Sequence, residues 1–178
     1  MRKIVAGLFV SVDGVVEAPD TWTGAYFSPE IEQLIGSMMA DGDTLLLGRV
    51  TYQGFADSFG GASGGMADRM NNFEKVVVST TLDKAEWQNS TLISGNVAEE
   101  ITRLKQQPGK NIGVSGSATL IRWLLGQGLL DELDLLVFPI VLGSGKRLFE
   151  DGSDRIALRL AASKAFSNGV LRLTYQPT

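Results

Sequence analysis

The chain contains neither cysteine nor histidine. The first absence removes disulfides, thiol catalysis and thiolate metal sites. The second removes Ser-His-Asp hydrolysis, histidine-bound zinc and histidine proton shuttles, and no metal is expected. An excess of positive charge is lacking too: 16 Lys and Arg stand against 20 Asp and Glu, a net charge of −4. Neither nucleic acid nor a membrane surface gains electrostatic support as a partner. No apolar run approaches the roughly 18 residues of a membrane span. The N-terminal stretch MRKIVAGLFVSVDG is interrupted by Asp13 and is followed by no cleavage signature, so it reads as a first strand rather than a signal peptide. Repeats and low-complexity tracts are absent. These exclusions leave a cytoplasmic, small-molecule protein as the expectation.

What is present is an ordinary globular composition, 44% hydrophobic and 20% charged over 178 residues, which fits one domain spanning 1–178. A chain of this length buries about 70% of its unfolded surface and needs no staples. Apolar runs predict strands over Ile4–Val12, Thr44–Leu47, Lys75–Ser79, Thr91–Ser94, Asn111–Val114 and Leu133–Val137. Between them lie helical patterns. One opens at Ser28-Pro29-Glu30, with Ile31, Leu34, Ile35, Met38 and Met39 on its apolar face. Others follow at GRVTYQGF, at Val97–Gln106 and at Ala118–Leu125. Gly60–Gly65, GGASGG, reads as a surface loop. Ser167-Asn168-Gly169 joins two terminal strands, Ile156–Phe166 and Val170–Tyr175, as a hairpin. The alternation argues for α/β, a mostly parallel sheet with an antiparallel edge.

In such a sheet ligands bind beyond the carboxyl ends of the strands. Three of those turns suit phosphate. Ser115-Gly116-Ser117-Ala118 is small and leads into a helix, so backbone N–H groups face outward there; the other reading is a tight strand-to-helix turn. Gly48-Arg49-Val50-Thr51 adds a guanidinium fork and a hydroxyl; alternatively Arg49 pairs with a carboxylate such as Asp43 and Thr51 caps the helix. Ser79-Thr80-Thr81 offers hydroxyls that serve a ligand or merely a turn. A fourth segment, Gly143-Ser144-Gly145-Lys146-Arg147, fails the P-loop pattern, having Ile140 in place of glycine and Arg147 in place of Ser/Thr.

Taken in order, SVDGVVE, LLLGRVTYQGF, KVVVSTTL, VSGSATLIRWLL and GLLDELDLLVFPIVLGSGKRLF resemble the dihydrofolate reductase-like superfamily over Lys3–Tyr175. The nearest branch is the reductase domain at the C-terminus of RibD, the bifunctional deaminase-reductase of riboflavin biosynthesis, with its stand-alone relatives. The resemblance implies a three-layer α/β/α fold around about eight strands, with NADPH as cofactor. It places Gly48, Arg49 and Thr51 at the 2′-phosphate and pyrophosphate end, and Ser79 and Thr80 beside the adenosine. It puts Ser115, Gly116, Ser117 and Ala118 under the pyrophosphate, with an unusual cis peptide at Ser115-Gly116. Ala6 and Asp13–Val16 would flank the nicotinamide. Lacking His and Cys, the chain has no zinc deaminase chemistry.

Reduction of C=N or C=O also needs a proton, from a carboxylic acid, tyrosine, lysine or water. Dihydrofolate reductases carry an acid on the first long helix. Glu32 sits nearest that place counted back from Gly48, and Glu30 counted from Pro29, while Ile31 occupies the acid's spot in a Pro-x-acid pattern. Folate reduction therefore lacks support. Asp13 is the third candidate donor, or else a turn former. Trp22, Tyr26 and Phe27 either stack on a planar substrate or pack their loop. Lys146 and Arg147 are candidate partners of a substrate phosphate. The expected function is NADPH-dependent reduction of a small planar heterocycle, resembling 5-amino-6-(5-phosphoribosylamino)uracil reductase. Dihydrofolate reduction and a non-catalytic NADPH-binding module are the alternatives. The helix IRWLLGQGLL, with Trp123, is either a homodimer face or a core helix.

Overall fold

The computed structural model describes residues 1–178. In chain order it comprises β1 (Ile4–Ser11), α1 (Pro29–Ala40), β2 (Gly42–Gly48), α2 (Arg49–Phe59), α3 (Gly65–Asn72), β3 (Glu74–Val78), β4 (Ser90–Ile93), α4 (Val97–Gln106), β5 (Asn111–Val114), α5 (Ala118–Gly126), β6 (Glu132–Phe138), β7 (Leu158–Ala165) and β8 (Leu171–Pro177). One eight-stranded sheet runs in the order β4-β3-β2-β5-β1-β6-β8-β7. The first six strands of that order are parallel to their neighbours, and β8 and β7 close the sheet antiparallel.

Strand alternation sorts the side chains into two faces. Ile4, Ala6, Leu46, Val76, Ile112, Val114 and Leu133 pack against α4 and α5 through Ile101, Leu104, Leu120, Ile121 and Leu124. On the other face Leu45, Leu47 and Val77 meet Tyr52 of α2 and Met70 of α3, with Trp87 alongside. Ile31 of α1 joins Leu136, Phe138, Phe166 and Val170 on that same face. Helices thus cover both faces of a largely parallel sheet, as its buried apolar strands require. Ser28 caps α1, its hydroxyl accepting from the Ile31 N–H at 3.3 Å, with Pro29 in the first turn. No helix is long and apolar enough to cross a membrane.

One departure from the sequence reading is physical. Residues 65–72 form α3, although the glycine-rich run places Gly65 in a loop by sequence. Intrinsic signals there are poor, since glycines open the helix and only Ala67 and Met70 are buried. Its far end is held from outside, by Lys75 Nζ donating to the Met70 and Asn71 carbonyls at 2.9 and 3.0 Å. At α5 the structure bears on an alternative the sequence left open. Leu120, Ile121, Leu124 and Leu125 are buried in the core and Trp123 packs against it, so this helix is the core helix of the two readings.

Candidate active site

Because six neighbouring strands run parallel, their carboxyl ends form one rim, read in order as Ser94–Asn96, Ser79–Thr81, Gly48–Thr51, Ser115–Ala118, Val12–Gly14 and the segment after Phe138. Five strand spacings make this rim about 24 Å long. The three phosphate-suited turns stand next to one another on it, after β3, β2 and β5.

The turns after β2 and β5 touch. The Gly48 N–H donates to the Gly116 carbonyl at 3.3 Å. A Cβ on Gly116 would stand 2.7 Å from Thr51 Oγ1, and one on Gly48 2.9 Å from Ser117 Oγ. Only glycine permits that approach. The Gly116-Ser117 peptide is cis, one residue beyond the Ser115-Gly116 position the resemblance implied. Neither α2 nor α5 has an acid in its first turn. Ser117 Oγ accepts from the Leu120 N–H at 3.2 Å and caps α5, while α2 has no side-chain cap, so its leading amides are unspent. Arg49 is exposed and donates only to Gln53 Oε1, at 3.1 Å. It does not pair with Asp43, which sits at the opposite end of β2 bound to Arg2. Thr51 lies beside Gly116 rather than capping α2. Ser79 is buried, and its hydroxyl accepts from the Thr81 and Leu82 N–H groups at 3.2 and 3.1 Å, leaving Thr80 exposed at the tip of that turn.

Several single-residue expectations are corrected. Ala6 is fully buried on the α4/α5 face, so its side chain reaches no ligand. Asp13, expected as a candidate proton donor, is engaged as a hydrogen-bond acceptor. Its carboxylate accepts from Ser11 Oγ at 2.6 Å, Gly143 N at 2.8 Å and Leu142 N at 3.1 Å. Those hydrogen bonds, the Ser11 hydroxyl first, hold it ionised with a pKa lowered to about 2. Glu30 and Glu32 both point to solvent, flanking a fully buried Ile31, and Glu30 stands 4.0 Å from Lys164. Neither glutamate reaches the interior beneath α1.

Asp13 instead fastens the loop after β1 to the loop after β6. The Arg147 Nε–H donates to the Asp13 carbonyl at 2.9 Å, the Val16 N–H to the Lys146 carbonyl at 2.9 Å, and the Lys146 N–H to Glu17 Oε2 at 3.1 Å. Gly143–Arg147 is thus half of a tied pair of loops. The Lys146 side chain is exposed on it. The aromatics pack the same region. Trp22 and Tyr26 each meet Phe138 edge-on at 5.7 and 5.8 Å, and Phe27 meets Phe9 at 5.9 Å. Trp22 Nε1 donates to the Glu17 carbonyl at 2.9 Å. Of these residues only Phe9 lines the cavity next described.

That cavity was not anticipated. It lies between α1 and the sheet, encloses ≈ 240 Å³ and extends from Asn111 to Ser115, the first residue of the small turn. On its wall Arg172 Nε and Nη2 grip the buried Asp134 carboxylate at 2.6 to 3.1 Å, with Thr174 Oγ1 adding a bond at 3.3 Å. The bond to Asp134 raises the Arg172 pKa further and keeps it charged. A signal existed in the sequence: in ELDLLVF the acid interrupts an apolar strand, and in LRLTY an arginine alternates with apolar residues on a strand of the terminal hairpin.

Comparisons with known proteins agree with this architecture. The family model described as RibD C-terminal domain matches residues 2–172. YyaP of Bacillus subtilis strain 168, itself uncharacterized, is 30% identical over 98% of this chain and 94% of its own length. A putative riboflavin biosynthesis protein from Shewanella sp. PV-4 superposes with a TM-score of 0.80 at 21% identity, covering 99% of both chains. Dihydrofolate reductase from Enterococcus faecalis, solved with NADP(H), gives 0.66 at 14% identity over 99% of this chain and 96% of its own. At such identities the two solved structures speak for the fold, which is dihydrofolate reductase-like. By the match over nearly its whole length, the chain belongs to the RibD C-terminal domain family, a family of reductase-like domains.

Proposed function

We propose that the protein is an NADPH-dependent reductase of a small planar heterocycle, bound in the cavity beneath α1. The observation that carries the reading is the joined pair of turns, Gly48–Thr51 and Ser115–Ala118. There two helix N-termini free of acids, a guanidinium with no carboxylate partner and two glycine-only approaches meet at the sheet rim. Amides at helix N-termini and an arginine fork suit a dinucleotide's phosphates. Arg49 and Thr51 would hold the 2′-phosphate end, Ser115–Ala118 the pyrophosphate, and Ser79 with Thr80 the adenosine. NADPH, when bound, supplies the hydride. Glu30 and Glu32 lie in solvent, Asp13 is held ionised and Asp134 is committed to Arg172. The acids left on the cavity lining are Asp41 and Glu132, the latter paired with Lys3, so Asp41 or water is the proton source. That Asp13, Glu30 and Glu32 all lie off the cavity lining favours a second reading, a non-catalytic NADPH-binding module. Ile31, buried where dihydrofolate reductases carry their acid, argues against folate reduction.

Titration of NADPH and NADH, followed by cofactor fluorescence, tests the reading. Arg49→Ala is expected to weaken NADPH by roughly tenfold to a hundredfold, the worth of a charge-assisted hydrogen bond, and to leave NADH little changed. Equal losses would remove Arg49 from the 2′-phosphate, and no binding of either cofactor would end the proposal. Cofactor oxidation with a substrate panel separates enzyme from binding module.

A further inference from the structure

We propose that Arg172, fixed by Asp134, is the specificity-determining residue of the cavity under α1. It takes a flat ring by acceptor atoms on the ring's edge, and the cavity's charge turns away a phosphorylated ligand. The inference rests on the reading of this cavity as the substrate site.

The shape comes from glycines. Gly7 of β1 and Gly113 of β5 lie on adjacent strands and both line the cavity, leaving bare backbone beneath Met38 and Met39 of α1. A Cβ on Gly7 would stand 3.2 Å from Met38 Cε, so a side chain there would close the trough. Bare backbone below and pliable thioethers above suit a planar ring.

The chemistry comes from the ion pair. Both Asp134 oxygens are already engaged, by Arg172 Nε and Nη2 and by Thr174 Oγ1. A spent carboxylate cannot take the donor edge of an aminopyrimidine. Arg172 Nη1, in contrast, has no partner in the chain, and the Arg172 side chain is about one-third exposed. The pair therefore presents N–H donors, which recognise carbonyl or other acceptor oxygens.

The remaining charges argue against phosphate. Charged residues on the cavity lining are Asp41, Glu132, Asp134 and Arg172, with no lysine. Arg172 is bound to Asp134 and Glu132 to Lys3 at 2.6 Å, while Asp41 has no ion-pair partner. A phosphate of charge near −2 would meet net negative charge and no free cation.

The test uses the full chain and three probes, 5-aminouracil, 2,4-diaminopyrimidine and uridine monophosphate, with affinities measured by calorimetry in the presence and absence of NADPH. 5-Aminouracil is expected to bind roughly tenfold or more tighter than either other probe. Arg172→Met should erase that preference. Because this variant leaves Asp134 buried alone, the neutral pair Asp134→Asn with Arg172→Gln repeats the measurement without a lone charge. The proposal is overturned if the diaminopyrimidine or the nucleotide binds as tightly as 5-aminouracil, if the preference survives both variants, or if no probe binds. NADPH titration of the same samples reads the reductase proposal separately. Its failure alongside an Arg172-dependent ring preference would remove the cofactor and keep the ring recognition.

Discussion

The two rims of the parallel sheet are built on opposite electrostatic plans. At the amino ends of the strands, charges are matched to nearby partners. Buried Arg2 bonds the Asp43 carboxylate, Thr44 Oγ1 at 2.6 Å and the Lys110 carbonyl at 2.7 Å. Lys105 meets Asp131 at 2.7 Å, and Asp131 also accepts from the Ile4 N–H at 2.7 Å. Lys3 meets Glu132 at 2.6 Å. At the carboxyl ends, Arg49 has only an amide oxygen for company and α2 starts without a cap. One rim spends its polar groups on the fold; the other holds donors in reserve. Parallel topology makes this division available, because every crossover helix begins at the carboxyl rim with its N–H groups outward.

The largest expected effect breaks the closed rim. Asp43→Ala leaves the Arg2 guanidinium, whose side chain is only 3% exposed, without its carboxylate. Removing one partner of a buried pair costs about 3–5 kcal/mol; Asp43 is partly exposed, so about 2–3 kcal/mol is expected once solvent screening is allowed for. Denaturant unfolding checks the loss, and NADPH affinity should be unchanged. A matching fall in cofactor affinity would show that the two rims are not independent.

Gly116→Ala makes the complementary break. Its Cβ would be driven against Thr51 Oγ1 at a φ of +153°. Strain of about 1–3 kcal/mol is expected, carried by the turn proposed to meet the cofactor. NADPH affinity should therefore fall at least as far as for Arg49→Ala. Stability and cofactor titrations on one sample separate the two effects. A variant that unfolds more easily yet binds NADPH normally would take this turn out of the site.

The sequence disclosed this second rim better than the first. Small residues at strand ends and the Gly-Arg-x-Thr turn are local patterns, and the β-α order makes their carboxyl ends neighbours. Asp134 and Arg172 are 38 positions apart and meet only through antiparallel β6 and β8, so the local mark each carries does not disclose that they pair. The same holds for Asp13. Its turn-forming neighbourhood was legible, but the amides that fix its charge come from residues 142 and 143, across the fold. Helix α3 was missed for a related reason, since Lys75 and Asn71, rather than its own propensity, secure its end.

Lys75 is a buried exception within the closed rim and sharpens the comparison. It is fully buried with no carboxylate, its Nζ lying between helix-end carbonyls and the Trp87 ring at 4.1 Å. Burial pushes its pKa down from 10.5 to about 8. Between those values the unfolded chain holds a proton that the folded chain has released, so stability rises with pH across that window. Lys75→Met should flatten the alkaline rise in unfolding midpoint. An unchanged slope would mean that other groups carry it.

The smallest effect concerns the tied loops beside the open rim. Asp13 has an ordinary value of 3.8 and a folded value of about 2. The folded protein therefore keeps the carboxylate where the unfolded chain takes up a proton. Its stabilisation is complete above 3.8 and is lost as pH falls toward 2. Asp13→Asn should remove that acid limb and speed hydrogen exchange at the Leu142 and Gly143 amides, which the carboxylate now accepts. The turns proposed to hold NADPH, two strands and one strand away on the rim, should keep their affinity. Exchange confined to the loops would make Asp13 a fastening of the site's cover, whereas a parallel loss of cofactor would join that cover to the dinucleotide turns.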